Sequence, residues 1–265
     1  MKATVFLGGG RIAGALVAGL RLAGYRQPIV VHDRNLEKLK EIRRKYGVIV
    51  EPDLRRAVDS ALVLIVAVRP QSEKELLKQI AGFKLPRRLT AVSLAAGIPL
   101  SMLRSQLGSP VKWARAMPSP VSRSGQGLTA LTFAKSFPAA ARKRVRHLFS
   151  LVGTVIEISE KQFDAFTVTY SSSHGYHALS VLIDAAEGIG LDRKTAQLAA
   201  AHALADGIVA WREGDASLEE LSQEAATPGG IAAAVMSAMD GRGYRQSIVN
   251  GLRAGMKQAR RNARE

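Results

Sequence analysis

The pattern Gly8-x-Gly10-x-x-Ala13 is the feature of this sequence that most directly predicts chemistry. It follows a short apolar run and opens an amphipathic stretch, so it is predicted to form a turn between a strand and a helix. The first glycine allows the tight turn, the second lets the backbone approach a pyrophosphate, and Ala13 allows close helix packing. At the helix start, the N–H groups of Arg11, Ile12 and Ala13 are available to phosphate oxygens. We therefore predict a dinucleotide site, in preference to a glycine turn kept only for packing.

Two neighbouring side chains bear on which dinucleotide is bound. Asp33 follows Ala13 by 20 residues, at the end of a second predicted strand. Its carboxylate would accept hydrogen bonds from an unmodified ribose, as in NAD, and would repel a 2′-phosphate. Arg34 beside it, with Lys38 one helical turn further on, would instead pair with the 2′-phosphate of NADP. The residues alone leave the two cofactors evenly matched.

Other residue types that carry chemistry are absent or scattered. The chain has no cysteine, which excludes a disulfide scaffold, a thiolate zinc site and a cysteine nucleophile. His174 and His177 lie one helical turn apart without a third ligand nearby in sequence, so we predict no metal site. Ser173 and His174 are adjacent, and adjacent side chains of a helix point apart, which argues against a nucleophile–base pair.

The charge of the chain is strongly basic. There are 38 Lys and Arg against 22 Asp and Glu among 265 residues, a formal net charge of +16. The basic clusters at 34–45, 141–147 and 251–264 are interpreted as solvated surface. No aromatic residues interleave them as a stacking platform, so nucleic acid is not the expected partner. No apolar run reaches membrane-spanning length and the N-terminus lacks a signal-peptide pattern, so we expect a cytoplasmic protein.

The elements that must position the glycine turn alternate between strand and helix signals. The predicted helices are Ile12–Leu22, Leu36–Tyr46 and Gln71–Ile80. The predicted strands are Ala3–Leu7, Pro28–His32, Ala61–Val68, Leu89–Leu94, Val111–Ala114 and Leu128–Phe133. Such alternation predicts an α/β fold with a mostly parallel, Rossmann-type sheet.

The second half of the chain has a different pattern. From Lys161 onward there are only Ala-rich helical segments, with breaks at 188–191, 214–217 and 227–230. We therefore predict a dinucleotide-binding domain at 1–160 and an all-α domain at 161–265. Because the Ala-rich faces exceed what a small bundle hides, we predict that the second domain forms a homodimer.

Five motifs in register give the sequence a family resemblance. They are Phe6-Leu7-Gly8-Gly9-Gly10, Ala67-Val68-Arg69-Pro70, Ser93-Leu94-Ala95-Ala96-Gly97, Arg115-Ala116-Met117-Pro118 and Thr227-Pro228-Gly229-Gly230. In this order the chain resembles pyrroline-5-carboxylate reductase along nearly its whole length. The resemblance implies hydride transfer from a nicotinamide cofactor to a cyclic imine. It also implies a helical domain that interlocks with a partner subunit and a preference for NADPH, with NAD as the alternative cofactor.

Residues of the predicted site follow from that resemblance. Val68, Arg69 and Pro70 would line the cofactor, as would Ala95, Ala96 and Gly97 near the nicotinamide ribose. The substrate would be bound by residues at two helix starts and one loop, namely Ser119, Ser172, Ser173, Gly229, Gly230 and Ile231. The catalytic candidates are His174, Tyr176 and Thr227.

Three departures from the family pattern fall in this predicted site. Ile231 stands where the family has a Thr that binds substrate, His174 replaces a Pro, and Ser119-Pro120 replaces Asn-Thr. His174 is the nearby side chain able to donate a proton near neutral pH, and Tyr176 is the second choice. The departures leave open a reductase of another imine or oxo acid, or a non-catalytic NADP-binding dimer.

Overall fold

The computed structural model describes residues 2–86 and 89–264, and its centre is one eight-stranded sheet. The strand order is β3-β2-β1-β4-β5-β6-β7-β8, and all pairs are parallel except β6 with β7. The strands are β1 Ala3–Leu7, β2 Ile29–His32, β3 Ile49–Val50, β4 Ala61–Val66, β5 Thr90–Ser93, β6 Lys112–Met117, β7 Gly127–Phe133 and β8 Gly153–Glu157. The predicted mostly parallel, Rossmann-type sheet is confirmed.

Helices follow most strands, and local residues set several of their ends. They are α1 Arg11–Leu22, α2 Leu36–Tyr46, α3 Leu54–Asp59, α4 Pro70–Ala81, α5 Leu100–Gln106 and α6 Ala139–Ser150, with a short 3₁₀ helix at Pro120–Ser124. Asn35 caps α2 by accepting from the N–H groups of Glu37 and Lys38, and Gly47 ends that helix in the left-handed region.

Alternation along the strands gives the sheet two covered faces. Phe6 packs in one apolar cluster, with α1 and α6, while its neighbours Val5 and Leu7 pack in the other, with α4 and α5. Both faces of the central strands are therefore buried, as in other parallel sheets.

The structure corrects several sequence expectations. The fourth strand ends at Val66 instead of Val68, because Ala67 to Arg69 form the turn into α4, of which Pro70 is the first residue. Strands β3 and β8 and helices α3 and α5 were not predicted, since they are short or only partly buried. His32 at the end of β2 is buried, and its Nδ1 lies 3.0 Å from the carbonyl oxygen of Glu51.

The second half is helical throughout its described residues. It contains α7 Glu160–Thr169, α8 Ser172–Gly188, α9 Arg193–Glu213, α10 Leu218–Ala225, α11 Ile231–Gly241 and α12 Tyr244–Asn262. The predicted breaks at 214–217 and 227–230 fall between helices, and the break at 188–191 begins at Gly188, the last residue of α8. In the residues that the structure describes, no helix is long and apolar enough to span a membrane.

The chain divides into two compact units. The sheet unit comprises Met1–Thr169 and Gly255–Glu265, and the helical unit comprises Tyr170–Ala254. The sheet unit thus includes α7 and the end of α12. A boundary between residues 160 and 161 remains our proposal for the domain division.

Candidate active site

Gly8 is required by a close backbone approach between two strand ends. Its φ is +107°, a region that favours glycine, and a Cβ here would lie 2.7 Å from the Ala67 carbonyl oxygen. The Gly8 N–H donates to the carbonyl of His32 at 2.7 Å. The glycine turn therefore sits where the carboxyl ends of β2, β1 and β4 meet, which is where open α/β sheets bind ligands.

Asp33 ties the end of β2 to the glycine turn. Its Oδ2 accepts from the Gly9 N–H at 2.8 Å, and its Oδ1 accepts from the Asn35 N–H at 2.8 Å. The carboxylate is thereby fixed in orientation beside the turn. Arg34 and Lys38 are exposed next to it.

Gly10 leaves open space where a phosphate would lie. It is the N-cap of α1 without a side-chain cap, and a Cβ on it would meet nothing within 4 Å among the described residues. Arg11 is exposed, Ile12 is half-buried against the core and Ala13 is fully buried. An uncapped helix start behind a half-buried glycine backbone fits a pyrophosphate, because Gly10 has no side chain to bind the first N–H groups of α1.

The segment after β4 lies against the glycine turn. A Cβ on Gly8 would come within 3.2 Å of Val68 Cγ1. Arg69 is the exposed N-cap of α4, and Pro70 is its first residue. The structure thus brings Val68 to the glycine turn at the point in the fold that the resemblance implies.

The turn at Ala95, Ala96 and Gly97 is held from two sides within the sheet unit. The Ala95 N–H donates to Ser93 Oγ at 3.1 Å, and Asn262 Nδ2 donates to the Ala96 carbonyl at 3.1 Å. Gly97 has φ +81°, and a Cβ there would lie 2.5 Å from the Ala259 carbonyl oxygen. The end of α12 therefore packs directly on the turn predicted to receive the nicotinamide ribose.

Behind this turn lies a buried charge cluster that sequence reasoning missed. Arg115 is buried, and its guanidinium contacts Glu160 at 2.9 Å and Asp164 at 2.7 Å. The same group lies over the ring of Phe163, 4.1 Å from its centroid. Glu160 also accepts from the Leu100 N–H at 3.0 Å, so the cluster joins β6, α7 and the start of α5. Such a cluster fixes α7 to the sheet, since removal of one partner leaves a buried charge.

Glu73 is a second buried charge that sequence reasoning missed. Burial raises the pKa of Glu73 to about 7, although the hydrogen bond from Ser93 and the charge of Arg115 oppose the shift. The signal was present in the sequence, because Glu73 shares the apolar face of α4 with Leu77 and Ile80. A buried carboxylate with a shifted pKa is typical of functional sites.

Ser119 lies in the sheet unit. It is buried and caps the 3₁₀ helix, since its Oγ accepts from the Val121 N–H at 3.3 Å. Its hydroxyl proton is free of that bond, because a serine that accepts can still donate. The role of Ser119 in substrate binding stays a prediction.

In the helical unit, the first group of predicted substrate residues forms the start of α8. Ser171 is the N-cap without a side-chain cap bond, and its Oγ lies 2.6 Å from Ser173 Oγ. Ser172, His174 and Tyr176 are exposed in the following turn. Their side chains are thus accessible on the single chain.

The second group forms the start of α11. Gly230 is its N-cap without a side-chain cap bond, and the Gly230 N–H donates to the Thr227 carbonyl at 2.9 Å. Gly229 has φ +76°, and Ile231 is 87% exposed. An uncapped helix start of two glycines suits a carboxylate, and an exposed isoleucine there needs an apolar neighbour to cover it.

A metal centre has no support in the described ranges. No group of three or more His, Asp or Glu side chains within them is placed to hold an ion.

Two family models match the chain, one in each half. Residues 4–97 match the model described as NADP oxidoreductase coenzyme F420-dependent, and residues 160–262 match the model described as pyrroline-5-carboxylate reductase dimerisation. The first covers the glycine turn and the turn after β5, and the second covers the starts of α8 and α11.

Relatives and solved structures match over nearly the full length. Pyrroline-5-carboxylate reductase of Corynebacterium melassecola is 30% identical over 259 residues, 96% of each chain. A pyrroline-5-carboxylate reductase structure from Coxiella burnetii is 27% identical with a TM-score of 0.83, and covers 99% of this chain and 98% of that one. Pyrroline carboxylate reductase of Plasmodium falciparum with NADP bound shares the fold at 19% identity, with a TM-score of 0.85 over 99% and 98% of the two chains. Because of the 30% identity over 96% of both chains and the match of residues 160–262 to the dimerisation model, the chain belongs to the pyrroline-5-carboxylate reductase family.

Proposed function

We propose that this chain is an NAD(P)H-dependent oxidoreductase of the pyrroline-5-carboxylate reductase type. It reduces the C=N bond of a cyclic imine carboxylate, a proline-biosynthesis-like reaction. The observation that carries the proposal is the 30% identity to the Corynebacterium melassecola enzyme, because it spans 96% of both chains. The constrained glycine turn at the carboxyl edge of the sheet supplies the matching cofactor geometry.

The proposed cofactor is NADP(H), with NAD(H) as the alternative. Both oxygens of Asp33 already accept backbone hydrogen bonds, which offsets part of its charge. Arg34 and Lys38 are exposed beside it and offer cations to a 2′-phosphate. The bound NADP of the Plasmodium falciparum protein agrees with this preference.

The sheet unit holds and orients the cofactor in this proposal. The N–H groups of Gly10 to Ala13 bind the pyrophosphate, Val68 to Pro70 line its path, and Ala95 to Gly97 receive the nicotinamide ribose. When bound, the reduced nicotinamide supplies the hydride. The imine carbon accepts it, the C=N π electrons move to nitrogen, and the nitrogen carries the proton of the product amine.

Most of the proposed substrate contacts come from the helical unit, and Ser119 comes from the sheet unit. We assign the substrate carboxylate to the backbone N–H groups at the start of α11, directly after Gly229 and Gly230, with Thr227 as a hydroxyl donor. Ser119, Ser172 and Ser173 provide further hydroxyl contacts. His174 donates the proton to nitrogen, with Tyr176 as the second choice, because Ile231 lacks the hydroxyl that the family has at this position.

We further propose a homodimer through the helical half, in line with the dimerisation model that residues 160–262 match. We also propose that such dimers form a larger assembly. The proposed location of the protein is the cytoplasm. Small molecules are the proposed partners, not nucleic acid or membranes. The mass in solution, measured by light scattering, distinguishes dimer from larger assembly.

The test is NADPH oxidation followed by absorbance, with pyrroline-5-carboxylate and then other cyclic imines and oxo acids. Turnover with pyrroline-5-carboxylate supports the proposal. Turnover only with another imine or oxo acid supports the second candidate, a reductase of altered substrate range, which Ile231 favours by making the α11 start more apolar. NADPH binding without turnover on any compound supports a non-catalytic NADP-binding dimer.

A further inference from the structure

A buried carboxylate reaches the turn that Ala95 to Gly97 form. Glu73 is 1% exposed, and its Oε1 accepts from Ser93 Oγ at 2.7 Å. Ser93 Oγ in turn accepts from the Ala95 N–H at 3.1 Å. A serine hydroxyl has a single proton, so donating it to Glu73 turns its lone pairs toward Ala95. The carboxylate thus sets the orientation of the hydroxyl that holds the turn.

The position of Glu73 links two cofactor-lining segments. It lies in the first turn of α4, directly after Ala67 to Pro70, while Ser93 ends β5 directly before the turn. Strands β4 and β5 lie on the side of β1 opposite to β2, and Asp33 directly follows β2. Because Asp33 marks the adenosine end of a dinucleotide, this opposite side receives the nicotinamide end.

We propose that Glu73 is a positioning residue, which acts through Ser93 to hold Ala95 to Gly97 in the conformation that receives the nicotinamide ribose. This inference rests on the proposed function, since it deepens the account of the same cofactor site.

Packing alone does not account for a carboxylate at this place. Glu73 shares its face with Leu77 and Ile80, so an apolar side chain of similar size would fill the position without the cost of burying a charge. Its second oxygen, Oε2, is buried and has no hydrogen-bond partner in the described part of the chain. Among the described residues, the hydrogen bond of the carboxylate to Ser93 therefore leads to the turn.

The groups that face Glu73 are Ser93 on β5 and Arg115 on β6. Arg115 is already paired with Glu160 and Asp164, so it offsets the charge of Glu73 only in part. An ionised carboxylate is the stronger acceptor for the serine proton. Since burial raises the pKa of Glu73 to about 7, the affinity for NADPH is expected to rise with pH through neutrality.

The experiment compares four single variants of the full-length protein and the double variant of Glu73→Met with Ser93→Ala. Glu73→Met removes the acceptor at similar volume, Glu73→Gln keeps an acceptor without the charge, and Ser93→Ala breaks the connection. Glu75→Gln, an exposed change on the same helix, is the matched control. Calorimetry measures binding of NADPH and of adenosine 2′,5′-bisphosphate, which lacks the nicotinamide end.

The expected result is a loss confined to the nicotinamide end. Glu73→Met and Ser93→Ala should each weaken NADPH binding about tenfold, and their combination should weaken it no further, because both remove one connection. Binding of adenosine 2′,5′-bisphosphate should stay unchanged in every variant. Glu73→Gln should bind NADPH to within about threefold of the parent, without the pH dependence.

Several results would overturn the inference. They are NADPH affinity equal to that of the parent in both Glu73→Met and Ser93→Ala, additive losses in the double variant, or an equal loss for the half-cofactor. Should Glu73→Met fail to fold, Ser93→Ala and the pH dependence of the parent decide the matter. If the parent itself neither binds nor oxidises NADPH, the proposed function fails. If the parent does both and the variants bind NADPH with the same affinity as the parent, this inference alone fails.

Discussion

The sheet unit and the helical unit differ in how much of their apolar surface they cover themselves. Phe6 and Leu64 in the sheet are 1% and 0% exposed, whereas Ile189 and Ile231 in the helical unit are both 87% exposed. Between Tyr170 and Ala254, all of which the structure describes, the buried apolar residues are Ile183, Ala196 and Ala200. One unit is completed by its own chain, and the other presents a surface that a second copy would cover.

This difference separates two kinds of site. The proposed cofactor site is built from contacts within one chain, so its glycines, Asp33 and Ser93 are already held in place. The proposed substrate groups lie at helix starts in the unit with the exposed apolar surface. Substitutions in the sheet unit should therefore alter cofactor binding directly, and those in the helical unit should alter assembly and turnover.

The largest expected effect in the sheet unit is that of Gly8→Ala. Its Cβ would lie 2.7 Å from the Ala67 carbonyl oxygen at a φ of +107°. We expect stability to fall by about 3 kcal/mol, in line with strain plus overpacking. NADPH binding should be lost in calorimetry. Parent-like melting together with parent-like affinity would contradict the geometry of the turn.

Gly10→Ala separates binding from folding at the same turn. Its Cβ would meet nothing within 4 Å among the described residues, and the φ of −75° is open to any residue. The melting temperature should stay the same while NADPH binding weakens about tenfold or more, since the methyl group enters the phosphate space. Gly14→Ala, within α1, is the control and should leave NADPH affinity unchanged.

The stability of the sheet unit should depend on pH through Glu73. Its pKa is raised from 4.5 to about 7, so between these values the folded chain holds a proton that the unfolded chain has lost. The free energy of unfolding therefore falls as pH rises through this window, by roughly 3 kcal/mol from this group. Glu73→Gln should lack this part of the fall and exceed the parent in stability above pH 7. Urea unfolding at several pH values measures it; parallel curves for parent and variant would refute it.

Charges placed on the exposed face of α9 should break the helical unit's contact with a second copy. Ile208 and Trp211 lie one turn apart and are 54% and 47% exposed. The double change to Asp should weaken dimerisation about 100-fold in light scattering, because a charge in an apolar interface is unpaired. NADPH affinity should be retained. Lys78→Asp on the exposed surface of α4 is the control, and a variant that stays dimeric would place the interface elsewhere.

The last expected effects concern turnover at the helix starts of the helical unit. His174→Ala should lower turnover more than about tenfold if it is the proton donor, with NADPH affinity unchanged. Ile231→Thr should raise activity on pyrroline-5-carboxylate, since it restores the family hydroxyl. Steady-state kinetics test both. If both variants match the parent on every imine tested, the substrate site does not lie around these residues.

The sheet was predictable because its signals are local. Apolar runs such as Ala3–Leu7 and the glycines after it specify strand, turn and helix within a few residues. The short strand β3 and the half-exposed strand β8 were not predicted from the sequence. They form because they pair with a neighbouring strand, and their own composition does not indicate a strand. The contact of Gly97 with Ala259 likewise could not be predicted from the sequence, since it joins distant parts of the chain.

For the site, the residues of the glycine turn could be read from spacing. The hydrogen bonds that hold them could not: Asp33 to Gly9 and Glu73 to Ser93 depend on how neighbouring strands align. The residues at 172–176 and 227–231 followed only from the family resemblance, because serines and glycines also serve as ordinary caps and breaks.

The central claim is that the chain is an NAD(P)H-dependent reductase of a cyclic imine. The most direct test is a single kinetic experiment with the full-length protein, NADPH and pyrroline-5-carboxylate. The account predicts oxidation of NADPH that depends on the imine and yields proline in equal amount. NADPH that stays reduced with pyrroline-5-carboxylate and with every other imine and oxo acid tested would contradict it.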